Sequence, residues 1–384
     1  MNPRLPQPAL AVLDALRFSA QPAGPLAGLD ENGWNQALDF ARPQLALVLR
    51  AKLVEGGCWG RVREPVRRRL DQNLADNTER CRKIRDAYSQ IADRLAAAGV
   101  DFLLLKGFSH CPGFLPDPNV RLQYDIDIYC PGDAVFRAQE VLFAMGYRPA
   151  TGLERLPTDH LPTLLPASGG RWRGNPFDPE IPPRVELHFR FWDPDTERIS
   201  IPGLEEFWNR RELGQLDPLD QLGYAALHAT RHLLRGTLRA FHVYEIAHFI
   251  EGQKADRGFC ARWHDLHPPE LRRLESIAFR LAELYFGAAP VETSLPAGVE
   301  LWLKRYGWSP LEAQFHPNKH ELYLHMSLLD GWSDKWKVAR RRLVPLNYRR
   351  FTGARLAHHA RVFLPALWGI ATWRRLACRS CRHV

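Results

Sequence analysis

The chain has 384 residues, of which 45% are hydrophobic and 25% are charged. This composition is typical of a globular protein with a large buried core and excludes a disordered one. The net charge of +9 is uneven, because residues 335–384 contain 13 Lys and Arg and no Asp or Glu, whereas the preceding residues carry 39 basic and 43 acidic side chains.

The first 99 residues are predicted to be helical. The clearest helix spans 71–98, where apolar side chains recur at three-, four- and seven-residue steps and therefore share one face. These side chains are Leu74, Cys81, Ile84, Tyr88, Ile91 and Leu95. Gly99 is typical of the residue that follows a helix.

Strands, loops and one helix are predicted to alternate in residues 100–215. We expect strands at 100–105, 124–129 and 185–191 and a helix at 133–145, with an irregular Pro- and Gly-rich insertion at 150–183. Helices predominate again in 216–330, and a basic tail follows at 331–384. The order predicts an α+β fold, with a small mixed-sheet core flanked by helical N- and C-terminal segments.

Two aspartates alternate with apolar residues in the second predicted strand. Asp125 and Asp127 share one strand face, and Ile126 faces the other way. Two adjacent carboxylates repel each other, and a divalent cation such as Mg²⁺ removes that cost. The pair alone is explained more simply by solvated acids on an exposed strand.

A third carboxylate lies in the last predicted strand. Glu186 and His188 lie on its polar face. A third carboxylate on a neighbouring strand is what a two-metal site requires. For His188, a role in orienting a metal ligand and a structural hydrogen bond to the backbone are equally good explanations.

Several of these motifs together resemble an uncharacterised nucleotidyltransferase family of the polymerase-β superfamily. The resemblance covers residues from about 40 to 290 and rests on Leu103-Leu104-Leu105-Lys106-Gly107, Arg121, Asp125-Ile126-Asp127-Ile128, Gly146-Tyr147 and Glu186-Leu187-His188. It implies transfer of a nucleoside monophosphate from an NTP to an acceptor, with release of pyrophosphate. Asp125, Asp127 and Glu186 would then be the catalytic carboxylates and the ligands of two Mg²⁺ ions, with Mn²⁺ as the alternative.

The phosphate-binding turn departs from the superfamily pattern. A Gly-Gly or Gly-Ser pair is usual after the first strand, whereas here Phe108 separates Gly107 from Ser109. We expect Gly107, Ser109 and Lys106 to face the phosphates. A lysine exposed in a turn is an equally good explanation of Lys106. The departure favours an alternative function, a nucleotide-binding or regulatory protein with little or no turnover.

Arg121 precedes the paired aspartates by four residues. Its guanidinium is predicted to bind the triphosphate or the leaving pyrophosphate, or else to form a salt bridge with Asp125 or Asp127.

Histidines at helical spacing suggest a second alternative, a helical metalloprotein. His228 and His232 lie four residues apart on one helix, and Glu245 and His248 lie three apart on another. Histidines buried between helices, or facing a substrate, explain the pattern better. The family resemblance implies that His228 and Glu245 lie near the cleft and contact the acceptor.

The remaining predictions concern partners and location. The basic tail, with its tryptophans, is expected to bind an anionic membrane surface or to fold back on the acidic body. No base-reading element is recognisable, so specific nucleic-acid readout is not expected. The acceptor is predicted to be a polysaccharide, lipid-linked or peptide precursor. Seven scattered cysteines and no secretory signal predict a cytoplasmic protein, and the basic tail predicts peripheral attachment at the inner membrane face. Cys378 and Cys381 lack a second pair for zinc.

Overall fold

The computed structural model describes residues 3–19, 24–150, 159–167 and 174–343. The N-terminal helices are α1 (Gln7–Leu16), α2 (Gly24–Ala27), α3 (Glu31–Glu55) and α4 (Glu64–Ala97), and α5 (Ala134–Ala144) lies within the core. The later helices are α6 (Pro194–Glu197), α7 (Glu206–Asn209), α8 (Pro218–Leu234), α9 (Ala240–Gln253), α10 (Phe259–Leu266), α11 (Pro269–Phe286), α12 (Ala297–Tyr306), α13 (Ser309–Glu312), α14 (Glu321–Leu328) and α15 (Trp332–Leu343). The predicted α+β fold with helical flanks is confirmed.

A five-stranded mixed sheet forms the core. Its strands are β1 (Leu103–Leu104), β2 (Asp125–Tyr129), β3 (Tyr147–Pro149), β4 (Leu164–Pro166) and β5 (Arg184–His188), in the order β1-β2-β5-β4-β3. The central pair, β2 and β5, is parallel, and the other pairs are antiparallel.

The two faces of the central strands differ because side chains alternate along a strand. The apolar face packs against α4 and α5 in one cluster, which includes Ile84, Ile91, Ile126, Ile128, Leu142, Val185 and Leu187. The polar residues of β2 and β5 therefore lie on the opposite face.

Polar groups of α4 hold the loop that leads into β2. Asn77 donates to the carbonyls of Asn119 (2.6 Å) and Arg121 (3.2 Å), and the buried Arg80 donates from Nε to the carbonyl of Gln123 (2.9 Å). A buried amide or guanidinium is stable only when its donors find acceptors. The predicted packing helix thus also fixes the position at which β2 begins.

A kink in α3 occurs at Arg42, which has φ 51°. The left-handed region is costly for a residue with a side chain, and the following Pro43 disfavours helical geometry at this position. Arg42 and Pro43 both line a cleft beside the sheet, which is described below.

Four features differ from the sequence prediction. Tyr147–Pro149 forms β3, where no strand was predicted. Leu164–Pro166 forms β4 inside the segment predicted to be irregular. The last strand ends at His188, because the amide of Phe189 donates to the carbonyl of Asp159 in a neighbouring loop. The segment predicted as a basic tail begins with α15, in which Val338 and Ala339 are buried.

None of the helices in the described part of the chain is long and apolar enough to cross a membrane. The rest of the predicted tail, with Cys378 and Cys381, lies outside the described residues.

Candidate active site

The predicted carboxylates meet at the centre of the sheet. In the parallel pairing of β2 and β5, Asp127 is the register partner of Glu186. Asp125, two residues earlier in β2, lies on the same face. Asp125 and Glu186 line a cleft of about 1000 Å³, whose opposite wall comes from α8 and α9.

Asp127 lies just below the cleft floor and is 1% exposed. Its Oδ1 is 3.1 Å from Nζ of Lys106 and 3.1 Å from Nε2 of His188. Burial favours the neutral carboxyl, but these two cationic neighbours outweigh it and lower the pKa of Asp127 below its usual range. Oδ2 is buried and has no hydrogen-bond partner among the described residues.

Asp125 has the opposite protonation tendency. Burial and the nearby charge of Asp127 raise the pKa of the Asp125 carboxyl to about 7. The two aspartates therefore resist ionising together when no cation is bound.

Glu186 lines the carboxylate side of the cleft, and His188 is buried beside it. Thr163 Oγ1 donates to Glu186 Oε1 (3.1 Å). The His188 ring lies between Asp127 and Asp159, with Nδ1 3.3 Å from Asp159 Oδ2. Burial alone would lower the pKa of His188, but the two carboxylates raise it to about 9. His188 is thus an imidazolium that orients Asp127, and the backbone alternative does not describe its contacts.

This donor set fits Mg²⁺. Asp127, Glu186 and His188 each offer an atom within 4.8 Å of the others. Mg²⁺ prefers carboxylate oxygens, and the unsatisfied Oδ2 of Asp127 is available as a ligand. Asp127 and Glu186 supply the carboxylate oxygens of this set.

Lys106 is a partly buried cation of the site rather than a lysine exposed in a turn. Its Nζ lies 3.1 Å from Asp127 Oδ1 and 3.3 Å from His228 Nε2. Burial opposes the charge, but Asp127 and Asp125 raise the pKa of Lys106 above its usual value. The lysine therefore remains charged at the edge of the cleft.

Gly107 and Ser109 do not line the cleft in the described residues. Gly107 has φ 88°, and a Cβ here would overlap the side-chain amide of Gln123. The structure gives this glycine a packing role. Ser109 is buried and lies in a 3₁₀ turn of four residues, Gly107–His110, rather than at the start of a longer helix. A phosphate contact by either residue stays a prediction.

Arg121 forms its salt bridge with Glu245, not with either aspartate. Its Nε donates to Glu245 Oε1 (2.8 Å), and His110 Nδ1 lies 3.1 Å from the same oxygen. Burial disfavours the charge on Glu245, but Arg121 and His110 lower the pKa of this carboxyl to about 2. Arg121 and Glu245 line the cleft while remaining paired with each other.

Three histidines converge on the helical wall of the cleft. They are His228 and His232 on α8 and His242 on α9, and the Nε2 atoms of His228 and His232 are 3.2 Å apart. Burial lowers the pKa of His232 to about 2 and that of His242 to about 3, so both rings are neutral. His248, which the sequence pattern grouped with Glu245, lies beside Phe18 and Tyr244.

Asp159 and His242 belong to the site, and sequence analysis missed both. Asp159, which is paired with His188 and Arg231, lies in a segment without a pattern, and nothing local indicates its role. The sequence could have indicated His242, because it lies three residues before Glu245 on the same helix and therefore shares a face with it.

One comparison with known proteins identifies the family of the chain. A family model described as "Uncharacterised nucleotidyltransferase" matches residues 30–287, about two thirds of the chain. Neither the curated proteins nor the solved structures gave a match. The matched residues include all five strands and the two helices that wall the cleft. The chain therefore belongs to this uncharacterised nucleotidyltransferase family.

Proposed function

We propose that this protein transfers a nucleoside monophosphate from an NTP to an acceptor and releases pyrophosphate, in a reaction that requires Mg²⁺. The family supports nucleotidyl transfer in general. The observation that carries the finer proposal is the register of Asp127 with Glu186 across two parallel strands, with Asp125 on the same face and a cleft of about 1000 Å³ above them.

Asp125, Asp127 and Glu186 would hold the cations. Bound Mg²⁺, or Mn²⁺, supplies charge neutralisation to the triphosphate and makes the acceptor hydroxyl more acidic. The acceptor oxygen forms a bond to the α-phosphorus, the bond to the bridging oxygen breaks, and pyrophosphate leaves with that electron pair. Glu186 accepts the proton of the acceptor, and His188 keeps Asp127 oriented.

The triphosphate needs further positive charge, because Asp125, Asp127 and Glu186 share the charge of the two divalent ions with the phosphates. Lys106 supplies one cation at the cleft edge. Arg184 and Arg239 also line the cleft, are exposed, and form no ion pair within the described residues. We assign the outer phosphates to these two arginines, because Arg121 is already paired with Glu245.

The acceptor is proposed to be a polysaccharide, lipid-linked or peptide precursor, which His228 and Glu245 would contact from the helical wall. Attachment of residues 335–384 to an anionic membrane would bring the enzyme to such a substrate. The acceptor class and the membrane attachment are both inferred from the sequence.

Pyrophosphate release tests the proposal. The wild-type chain, with Mg²⁺ and each NTP, should release pyrophosphate when sugar, lipid-phosphate and peptide acceptors are screened. Asp127→Asn should abolish release, because it removes a ligand charge at nearly constant volume. Asp195→Asn is the matched control, since Asp195 is an exposed partner of Arg190. Equal release by the wild type and Asp127→Asn would refute the assignment.

A nucleotide-binding protein without turnover is the second candidate. The Lys106–Asp127 pair favours it, because the lysine already neutralises the carboxylate that a metal would bind. Gly107 also favours this second candidate, because the side-chain amide of Gln123 packs against this glycine. In that case NTP with Mg²⁺ would raise the melting temperature, and no acceptor would elicit pyrophosphate.

A further inference from the structure

The three-histidine cluster of His228, His232 and His242 is separate from the carboxylates in its chemistry, although both line the same cleft. We propose that these histidines bind a second kind of metal ion, a borderline transition-metal cation of the Zn²⁺ class. Nucleotidyl transfer as proposed above needs no such ion, so failure of one proposal does not decide the other.

The spacing of the rings matches tetrahedral coordination. Zn–N bonds of about 2.0–2.1 Å at tetrahedral angles separate two ligand nitrogens by about 3.3 Å. The Nε2 atoms of His228 and His232 are 3.2 Å apart. The three ring centroids lie 4.5, 4.7 and 5.0 Å from one another, and a ligand atom from each ring lies within 4.8 Å of the others.

Neighbouring groups leave donor atoms free for an ion. Nδ1 of His232 is 2.9 Å from Thr237 Oγ1, which fixes the ring and leaves Nε2 directed at His228. Nδ1 of His242 is buried and has no hydrogen-bond partner among the described residues. A buried polar atom without a partner is costly, and one ring nitrogen of His242 lies close enough to the other two rings to share an ion with them.

A hydrogen-bonded chain is the competing explanation of these contacts. Lys106 Nζ is 3.3 Å from His228 Nε2, so the lysine can donate to this ring when no ion is present. The chain accounts for His228 and His232 but leaves His242 unsatisfied. An ion would displace Lys106 from His228, and the lysine would retain its pair with Asp127.

The ligand type selects the ion. Imidazole nitrogens favour Zn²⁺ and its neighbours in the transition series, whereas carboxylates favour Mg²⁺. Three protein ligands leave the fourth position of a tetrahedral site open. Because all three histidines line the cleft, that position is accessible to water or to an anionic group of a substrate.

Cobalt absorption provides a direct test, since Co²⁺ replaces Zn²⁺ and its visible spectrum reports ligand type and geometry. The full-length chain is titrated with Co²⁺ in excess Mg²⁺, which occupies the carboxylates, and then with Zn²⁺. We expect a tetrahedral spectrum without thiolate charge-transfer bands, abolished by Zn²⁺. His242→Gln should weaken Co²⁺ binding at least about tenfold, since losing even an outer partner of a ligand costs that much.

Two controls make the result specific. His248→Gln alters the same helix outside the cluster and should bind Co²⁺ as the wild type does. Glu186→Gln should also retain binding, which separates the ion from the carboxylates, because Glu186 forms no ion pair with Lys106 in the described part of the chain. Circular dichroism checks that each variant is folded, and His232→Gln replaces His242→Gln if the latter unfolds. Absence of the spectrum, thiolate bands, or equal affinity of His242→Gln and His248→Gln would overturn the proposal.

Discussion

Lys106 and the buried Asp127 form an ion pair at the edge of the cleft, with Nζ 3.1 Å from Oδ1. The same ammonium lies 3.3 Å from His228 Nε2, so one cation connects the carboxylates of the sheet with the histidines of the helical wall. The side chain is charged and enclosed, and its position controls the electrostatics of both groups. This relationship leads to the first prediction.

Lys106→Met should destabilise the metal-free protein by about 2 kcal/mol, because the buried Asp127 carboxylate loses one of its two cationic partners and keeps only His188. Mg²⁺ should restore much of that loss by neutralising Asp127, so the stabilisation by Mg²⁺ becomes larger than in the wild type. Urea denaturation with and without Mg²⁺ measures both effects. Lys254→Met, which removes an exposed pair with Glu251, should have little effect in either condition. An Mg²⁺ response equal to that of the wild type would contradict the assigned metal site.

Glu186→Gln separates catalysis from nucleotide binding. The amide keeps an oxygen to accept the hydrogen bond from Thr163, so the side chain should stay in place. The variant loses the carboxylate charge and its basicity, and we expect turnover to fall by about a hundredfold or more. Affinity for the NTP should change severalfold at most. Calorimetry and steady-state kinetics give the two quantities, and an equal loss in both would assign Glu186 a structural role.

An exposed arginine of the cleft, Arg239, and a buried one, Arg121, should respond differently to substitution. Arg239→Gln removes an exposed cation of the cleft and should weaken NTP binding about tenfold, with little change in stability. Arg121→Gln breaks the buried pair with Glu245 and should lower the free energy of unfolding by about 3 kcal/mol. Denaturation and NTP titration of both variants distinguish the roles. If Arg239→Gln bound the NTP normally and Arg121→Gln were fully stable, the assignment would be reversed.

A buried histidine in the helical domain makes stability depend on pH. His267 lies between Asp220 (3.1 Å) and Glu275 (2.8 Å). Burial alone would lower the pKa of His267, but these hydrogen bonds raise it to about 9. Because the folded pKa exceeds the unfolded value of about 6.5, the contribution is complete below pH 6.5 and is lost as pH rises through 9.

This contribution amounts to at most about 3 kcal/mol, from a shift of about 2.5 pH units. Urea denaturation between pH 6 and pH 10 should show the decline in the wild type. In His267→Gln the decline should be shallower, with lower stability at pH 6. Parallel pH profiles for the two proteins would show that His267 does not cause the decline.

The periodicity of apolar and polar residues correctly predicted the faces of β2, β5 and α4. Alternation along β2 and β5 placed Asp125, Asp127 and Glu186 on one face, and the apolar spacing in α4 predicted its buried face. The strand β4 was missed because its three residues are held by pairing with distant β3 and β5.

Pairings across long sequence separations limited the prediction of the site. The Arg121–Glu245 pair joins residues 124 positions apart, and nothing near Arg121 indicates that a carboxylate of α9 binds it. Asp159 belongs to the site only because its loop returns to His188. Such partners become visible only when the folded chain brings them together.

Isotope incorporation from labelled water gives the most direct measurement of nucleotidyl transfer, because water can replace the unknown acceptor. The full-length chain is incubated with Mg²⁺ and each NTP in ¹⁸O-water, and the products are analysed by mass spectrometry. Attack at the α-phosphorus places the label in the nucleoside monophosphate, together with unlabelled pyrophosphate. We predict this pattern for the wild type and its loss in Asp127→Asn. Label in inorganic phosphate, or an unchanged product pattern in Asp127→Asn, would contradict the account.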